Sequence, residues 1–179
     1  MENSSWTRAE ITNLTNPLHT LMQDMLVKLY DLPDYSQDEK RLAEEGIVCR
    51  RPLAPEKHVL TSWVSEHFSP LWESECEVAF GHQPASVFWA IRDQEILGFA
   101  CYHTTAKNFF GPTGVLPSAR GKGLGKILLW KALAALKEEG YGYAIIGGVG
   151  PAAFYEKHVG ATLIAGSDPG IYKGLVKNS

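Results

Sequence analysis

The sequence has only three cysteines, Cys49, Cys76 and Cys101, odd in number and far apart. No Cys-x-x-Cys pair occurs, so neither a thiol-built metal site nor a dithiol redox motif is supported, and the expectation is three reduced thiols and no metal. Long apolar runs are also missing. None reaches the ~18 residues that a membrane-spanning helix needs, so no membrane association is expected. Residues 1–10 lack the basic stretch and following apolar run of a secretory signal, which points to a cytoplasmic protein. Positive charge is not in excess either. The net charge is −3 with both signs intermixed, which argues against the basic stripe of a nucleic-acid binder.

What is present is an ordinary globular composition, 45% hydrophobic and 21% charged, over 179 residues. That length favours a single domain with a genuine core. Leu18, Leu21, Met22, Met25, Leu26 and Leu29 recur at helical spacing, so residues 17–30 read as an amphipathic helix that Pro33 and Asp34 end. Residues 1–45 therefore read as a helical extension, free to pack on its own domain or on a second copy.

Beyond it, residues 46–51 read as a strand, and 56–68 and 71–80 as helices split by Ser69-Pro70. A hairpin follows over 86–104, turning at Asp93-Gln94. Residues 111–116 are a further strand and 124–139 the longest helix, with Leu124, Leu128, Ala132, Leu133 and Leu136 on one face and Gly140 as its cap. An apolar strand over 143–149, a short helix over 152–158 and closing strands over 161–165 and 171–176 complete the order. This is a mixed α/β arrangement.

The most informative segment joins the 111–116 strand to the long helix: Val115-Leu116-Pro117-Ser118-Ala119-Arg120-Gly121-Lys122-Gly123-Leu124-Gly125-Lys126. Glycines let backbone N–H groups approach an anion, and the helix start adds unpaired N–H groups and partial positive charge. Arg120, Lys122 and Lys126 add full charges, so a pyrophosphate suits the turn. The spacing excludes two common phosphate cradles. A Walker A loop would need glycine at Arg120 and Ser or Thr at Ile127. The dinucleotide pattern Gly-x-Gly-x-x-Gly fails at Lys126 and again at Leu128. What remains is Arg-x-x-Gly-x-Gly, from Arg120 through Gly123 to Gly125.

That motif at a strand-to-helix turn resembles the pyrophosphate loop of the GNAT superfamily of N-acetyltransferases. Phe154-Tyr155-Glu156-Lys157, followed by Gly160, resembles a second motif of the same family, at the usual separation. The resemblance is strong over residues 110–165 and follows element order from 46 to 176. It implies an acetyltransferase domain over 46–179 with a mixed, mainly antiparallel sheet flanked by helices.

It also implies acetyl-CoA as acetyl donor, held where the family's fourth and fifth strands splay apart. Pro112 and Gly114 suit the bulge expected in the fourth strand. The cofactor-binding residues it implies are Val115, Leu116, Arg120, Gly121, Lys122, Gly123, Leu124, Gly125, Lys126 and Phe154. Tyr155 matches the position of a general acid for the departing thiolate. The sequence departs from the family in two places. Gly148-Val149-Gly150-Pro151 carries no Asn at the start of the second motif's helix, and Val159-Gly160-Ala161 replaces the usual Leu-Gly-Phe.

For the acceptor, a small-molecule primary amine is expected, with amino sugars among the candidates. A protein acetyltransferase and a non-catalytic acyl-CoA sensor are the alternatives, and the protein could be a monomer or a homodimer. Glu73, Glu75, Glu77, His67, His82, His103 and Asp168 are all possible bases, and the sequence does not choose among them. Trp63, Phe68, Trp72, Phe88 and Trp89 are the aromatic residues available to shape an acceptor pocket.

Overall fold

The computed structural model describes residues 23–176. Its elements are β1 (Met25–Lys28), α1 (Ser36–Glu44), β2 (Val48–Arg50), α2 (Lys57–His67), α3 (Pro70–Ala79), β3 (Val87–Arg92), β4 (Glu95–Tyr102), β5 (Phe109–Val115), α4 (Leu124–Glu138), β6 (Tyr143–Ile146), α5 (Ala152–Val159) and β7 (Thr162–Leu163), with short 3-10 turns between them. One seven-stranded sheet runs β2-β3-β4-β5-β6-β1-β7. Every pairing is antiparallel except β5 with β6.

Alternation along the hairpin sorts the core into two layers. Phe88, Ala90, Ala100 and Tyr102 face α4, which buries Leu124, Ile127, Leu128, Leu129, Ala132, Leu133 and Leu136 against them. Val87, Trp89, Phe99 and Cys101 face the other way, onto Leu60 and Val64 of α2 and Cys76 and Ala79 of α3. The three cysteines are free and buried. Helix α4 ends where Gly140 takes φ +94°, a left-handed turn that glycine adopts without penalty.

Four elements differ from the sequence expectation. Of the helix expected over 17–30, residues 17–22 lie outside the described residues, and the rest is not an α-helix, with only a 3-10 turn beginning at Leu29. Met25–Lys28 is a strand, paired on one side with β6 and on the other with β7. Two periods coexist in this short apolar run, and the strand period prevails: Met25, Val27 and Leu29 are at most 2% exposed, while Leu26 is intermediate and Lys28 exposed. The described end of the expected extension is thus part of the sheet.

Helix α1 was not anticipated, because it buries only Leu42 and so shows no apolar stripe. Its start is fixed by Asp34, whose carboxylate accepts from the Ser36 backbone N–H at 2.8 Å. Finally, the strand expected over 171–176 is absent: Gly170–Tyr172 forms a single 3-10 turn, and Gly170 and Gly174 both have positive φ. The strand expected over 161–165 shrinks to Thr162–Leu163.

Candidate functional site

The site begins where the sheet opens. β5 and β6 pair in parallel only through Phe109↔Ile145 and Phe110↔Ile146. β6 ends there, and β5 runs on to Val115. The bulge anticipated in this strand is present. Between the pairs Ala100↔Thr113 and Tyr102↔Phe110, two steps along β4 match three along β5, so one extra residue sits at Gly111-Pro112. The parted strands leave a cleft of about 760 Å³, lined along its length by Val115, Gly121, Gly123, Gly125, Phe154 and Tyr155.

The glycine-rich turn forms one end. Gly121 and Gly123 have φ +81° and +89°, conformations that L side chains rarely adopt. Gly125 is helical, and a Cβ there would make ordinary contact with the Phe154 ring at 3.6 Å and Val115 at 3.7 Å, two residues that line the cleft. Leu124 is buried at the first position of α4.

The cations are arranged less simply than the sequence suggested. Arg120 turns back, its Nε donating to the Val115 carbonyl at 3.3 Å. Lys126 is paired with Asp38 of α1 at 2.7 Å and lies over the Tyr35 ring. Among the expected backbone contacts, Val115 lines the cleft, while the Leu116 N–H is engaged by the Leu97 carbonyl at 2.9 Å.

Tyr155 projects from α5 into the wall of the cleft and is 6% exposed. Burial pushes its hydroxyl up to about 12, so it stays protonated through the neutral range. Phe154 packs edge-on against it at 5.2 Å and Phe110 does so at 6.2 Å. His158, one turn further along α5, also lines the cleft. Burial, followed by the nearby lysines, lowers its pKa.

At the far end of the cleft stand Phe68 and Trp72, stacked at 5.3 Å. The five aromatic residues singled out from the sequence do not act together. Trp63, Phe68 and Trp72 cluster around Phe99. Phe88 lies in the core under α4, and Trp89 in the core under α2 and α3.

The possible bases also separate. His103 is structural: its Nδ1 accepts from the Asn108 N–H and its Nε2 meets Glu139 at 2.7 Å. His67 lies tilted against Trp63, His82 is near the His103 ring, and Asp168 is exposed. Glu77 is exposed and within 3.7 Å of Lys57. Glu75 is different. It lies one turn beyond Trp72 on the same side of α3, half-buried, and accepts a hydrogen bond from Thr105. Burial raises its carboxyl pKa, partly offset by that hydroxyl. Among the described residues it has no cationic partner.

Sequence reasoning passed over two residues here. Asp24 is buried, with Oδ1 accepting from the Gly148 N–H at 3.0 Å, and its own N–H donates to Ser167. It ties β1 to the loop that precedes α5 and to the 166–170 turn. Tyr172 brings its hydroxyl within 3.0 Å of where a Cβ on Gly147 would sit. Both lie in segments assigned to the wrong element, so no local pattern marked them.

The chain matches the model of the acetyltransferase (GNAT) family over residues 57–161. Similar solved structures include a GCN5-related glucosamine N-acetyltransferase region in a fungal multi-domain GH3 β-N-acetylglucosaminidase, with TM-score 0.67 and 18% identity over 88% of this chain and 21% of that one. A GCN5-related N-acetyltransferase from Sphaerobacter thermophilus gives 0.61 and 17% over 87% and 53%. One from Kribbella flavida gives 0.55 and 17% over 80% and 55%. The chain therefore spans about a fifth of the fungal protein and about half of each bacterial one, and at these identities the likeness is one of fold. No curated protein matches it. Among the described residues, no helix is long and apolar enough to cross a membrane.

Proposed function

The chain belongs to the GNAT family of acetyltransferases, and from that premise we propose that it transfers an acetyl group from acetyl-CoA to the primary amine of a small molecule. The observation that carries this reading is the continuity of the cleft. A glycine turn shaped for phosphate, a bulged strand, a buried tyrosine and an aromatic end wall follow one another along a single opening. Gly125 lines the same cleft without a side chain, which suits a ligand lying close against the backbone.

Acetyl-CoA, when bound, supplies the acetyl group as a thioester. The chain's own groups have the following roles. Backbone N–H groups of residues 121–126 and the start of α4 hold the pyrophosphate. Val115 and Phe154 line the path of the pantetheine arm. The amine nitrogen forms a bond to the carbonyl carbon as the carbon–sulfur bond breaks. Tyr155 holds a proton at its hydroxyl for the departing thiolate. Low polarity disfavours both anions, so the wall that raises Tyr155 also raises the thiol that takes its proton. We assign Glu75 to the acceptor end, where an unpaired, half-buried carboxylate suits an ammonium group and can take the proton it must lose.

Phe68 and Trp72 offer a flat apolar wall on which a sugar ring can stack, so amino sugars lead the acceptors to be tried. The test is thiol release from acetyl-CoA with amino sugars, polyamines, amino acids, arylamines, aminoglycosides and a lysine peptide. Turnover with a small amine supports the proposal. Turnover with the peptide alone would make this a protein acetyltransferase, and acetyl-CoA binding without turnover would make it a sensor. In the active pair, Tyr155→Phe should keep CoA affinity and lower kcat at least ~10²-fold. Unchanged kcat would remove Tyr155 from the chemistry.

A further inference from the structure

We propose that Arg41, on a helix outside the family-matched stretch, is a phosphate-binding residue of the cofactor cradle. The inference rests on the acetyl-CoA reading above. It starts from the cations at the cradle. Lys126 is ion-paired with Asp38, while Arg120 spends its Nε on the Val115 carbonyl and keeps its charge. A diphosphate-bearing ligand would therefore meet less net charge from Lys126 than the sequence suggests.

Arg41 brings a further guanidinium to the turn. It lies on α1, which ends before the matched residues 57–161 begin. Its Nη2 donates to the Lys122 carbonyl at 2.9 Å, and the same nitrogen lies 3.4 Å from where a Cβ on Gly123 would be. The guanidinium is thus in contact with the glycine turn itself. Its Nη1 is steadied by Glu45 at 2.7 Å, the side chain is 48% exposed, and the remaining N–H groups of its five can take a phosphate oxygen.

Helix α1 is fixed in this position mainly by polar contacts. Glu39 pairs with Lys131 of α4 at 2.5 Å, and Asp38 pairs with Lys126. The Tyr35 hydroxyl, just before the helix, donates to the His158 carbonyl of α5 at 2.7 Å. The helix and the tyrosine before it therefore bridge the first half of α4 and the end of α5, and place a guanidinium beside the loop. The same contacts explain why an isolated helix with a single buried residue is held here at all.

The experiment is calorimetric titration of the full chain with CoA at low and high ionic strength, for wild type, Arg41→Ala and Arg41→Lys, with thermal melting of each. Arg41→Ala should weaken CoA about tenfold at low salt. The gap should narrow at high salt, as a lost charge contact requires. Arg41→Lys should recover part of the affinity, because it restores the charge without the fork. An affinity within twofold of wild type, or a loss that is the same at both salts and not recovered by lysine, would overturn the inference. A wild-type chain that does not bind CoA would instead overturn the acetyl-CoA reading, and this inference with it.

Discussion

At the scale of single residues, three glutamates that look alike in sequence acquire different roles from α3. Glu77 is exposed beside Lys57, Glu73 has no ion pair among the described residues, and Glu75 is half-buried and accepts from Thr105. Only the helical phase separates them, and a chain read as text gives three acids at alternating positions. The pH dependence that follows from Glu75 has a definite sign. Burial raises its pKa above the usual carboxylate range, so it loses its charge at a pH where an exposed carboxylate would keep it. A base is active only when ionised. The acid limb of kcat/KM should therefore fall off above the ordinary carboxylate range, and Glu75→Gln should lower kcat/KM and abolish that limb while leaving CoA affinity intact. A limb shared by both proteins would belong to the amine's own deprotonation, and an unaltered profile would take Glu75 out of the acceptor site.

At the scale of elements, the cleft depends on glycines that have little to do with ligand contact. Gly98 of β4 and Gly114 of β5 pair with Val115 and Phe99 respectively; a Cβ on Gly98 would meet Leu128 of α4, and Gly114 lies under Phe68 on the other face. A Cβ on Gly114 would sit 2.4 Å from the Phe68 ring. The contact is with the far edge of a ring that is itself packed against Trp63, Trp72 and Phe99. Gly114→Ala should therefore destabilise the chain by about 1–3 kcal/mol, the usual cost of overpacking. It should also push Phe68 into the cleft, raising KM for the acceptor more than for acetyl-CoA. A variant with wild-type melting and kinetics would show that the aromatic wall is looser than drawn.

The legibility of the sequence divides along similar lines. The α4 helix, the 86–104 hairpin and the phosphate turn were readable because each carries a strong local signal: an apolar stripe, a two-residue turn, a glycine spacing. β1 and α1 were not. β1 is decided by partners more than a hundred residues away, and α1 by ion pairs to α4, neither of which leaves a local period. The candidate site follows suit. Tyr155, Phe154 and the glycine turn were visible as motifs, while Arg41, Asp24 and the choice of Glu75 exist only once distant segments meet.

At the scale of the whole molecule, the sheet is closed by its earliest described strand. β1 lies between β6 and β7, so the last strand of the sheet is joined to the rest through β1. Just before it, Asp24 holds the Gly148 N–H and is tied to Ser167, which links this strand to both loops behind the cleft. Stability of the chain and shape of the site therefore share one support. Val27 is the residue to test, because it is fully buried at the centre of β1. Val27→Ala removes two methyl groups from a layer that also holds Ala144 and Leu136, and it should cost roughly 2 kcal/mol. The urea midpoint should fall with an unchanged slope, since the surface exposed on unfolding is nearly the same. For a chain of this size the melting temperature should drop by about 4–8 °C. Val176→Ala, at a residue 89% exposed, is the matched control and should change neither. If Val27→Ala melts like that control, β1 is an ornament on a sheet that holds without it. If it melts as expected and CoA affinity falls as well, the strand that the sequence disguised as a helix supports the catalytic cleft from behind.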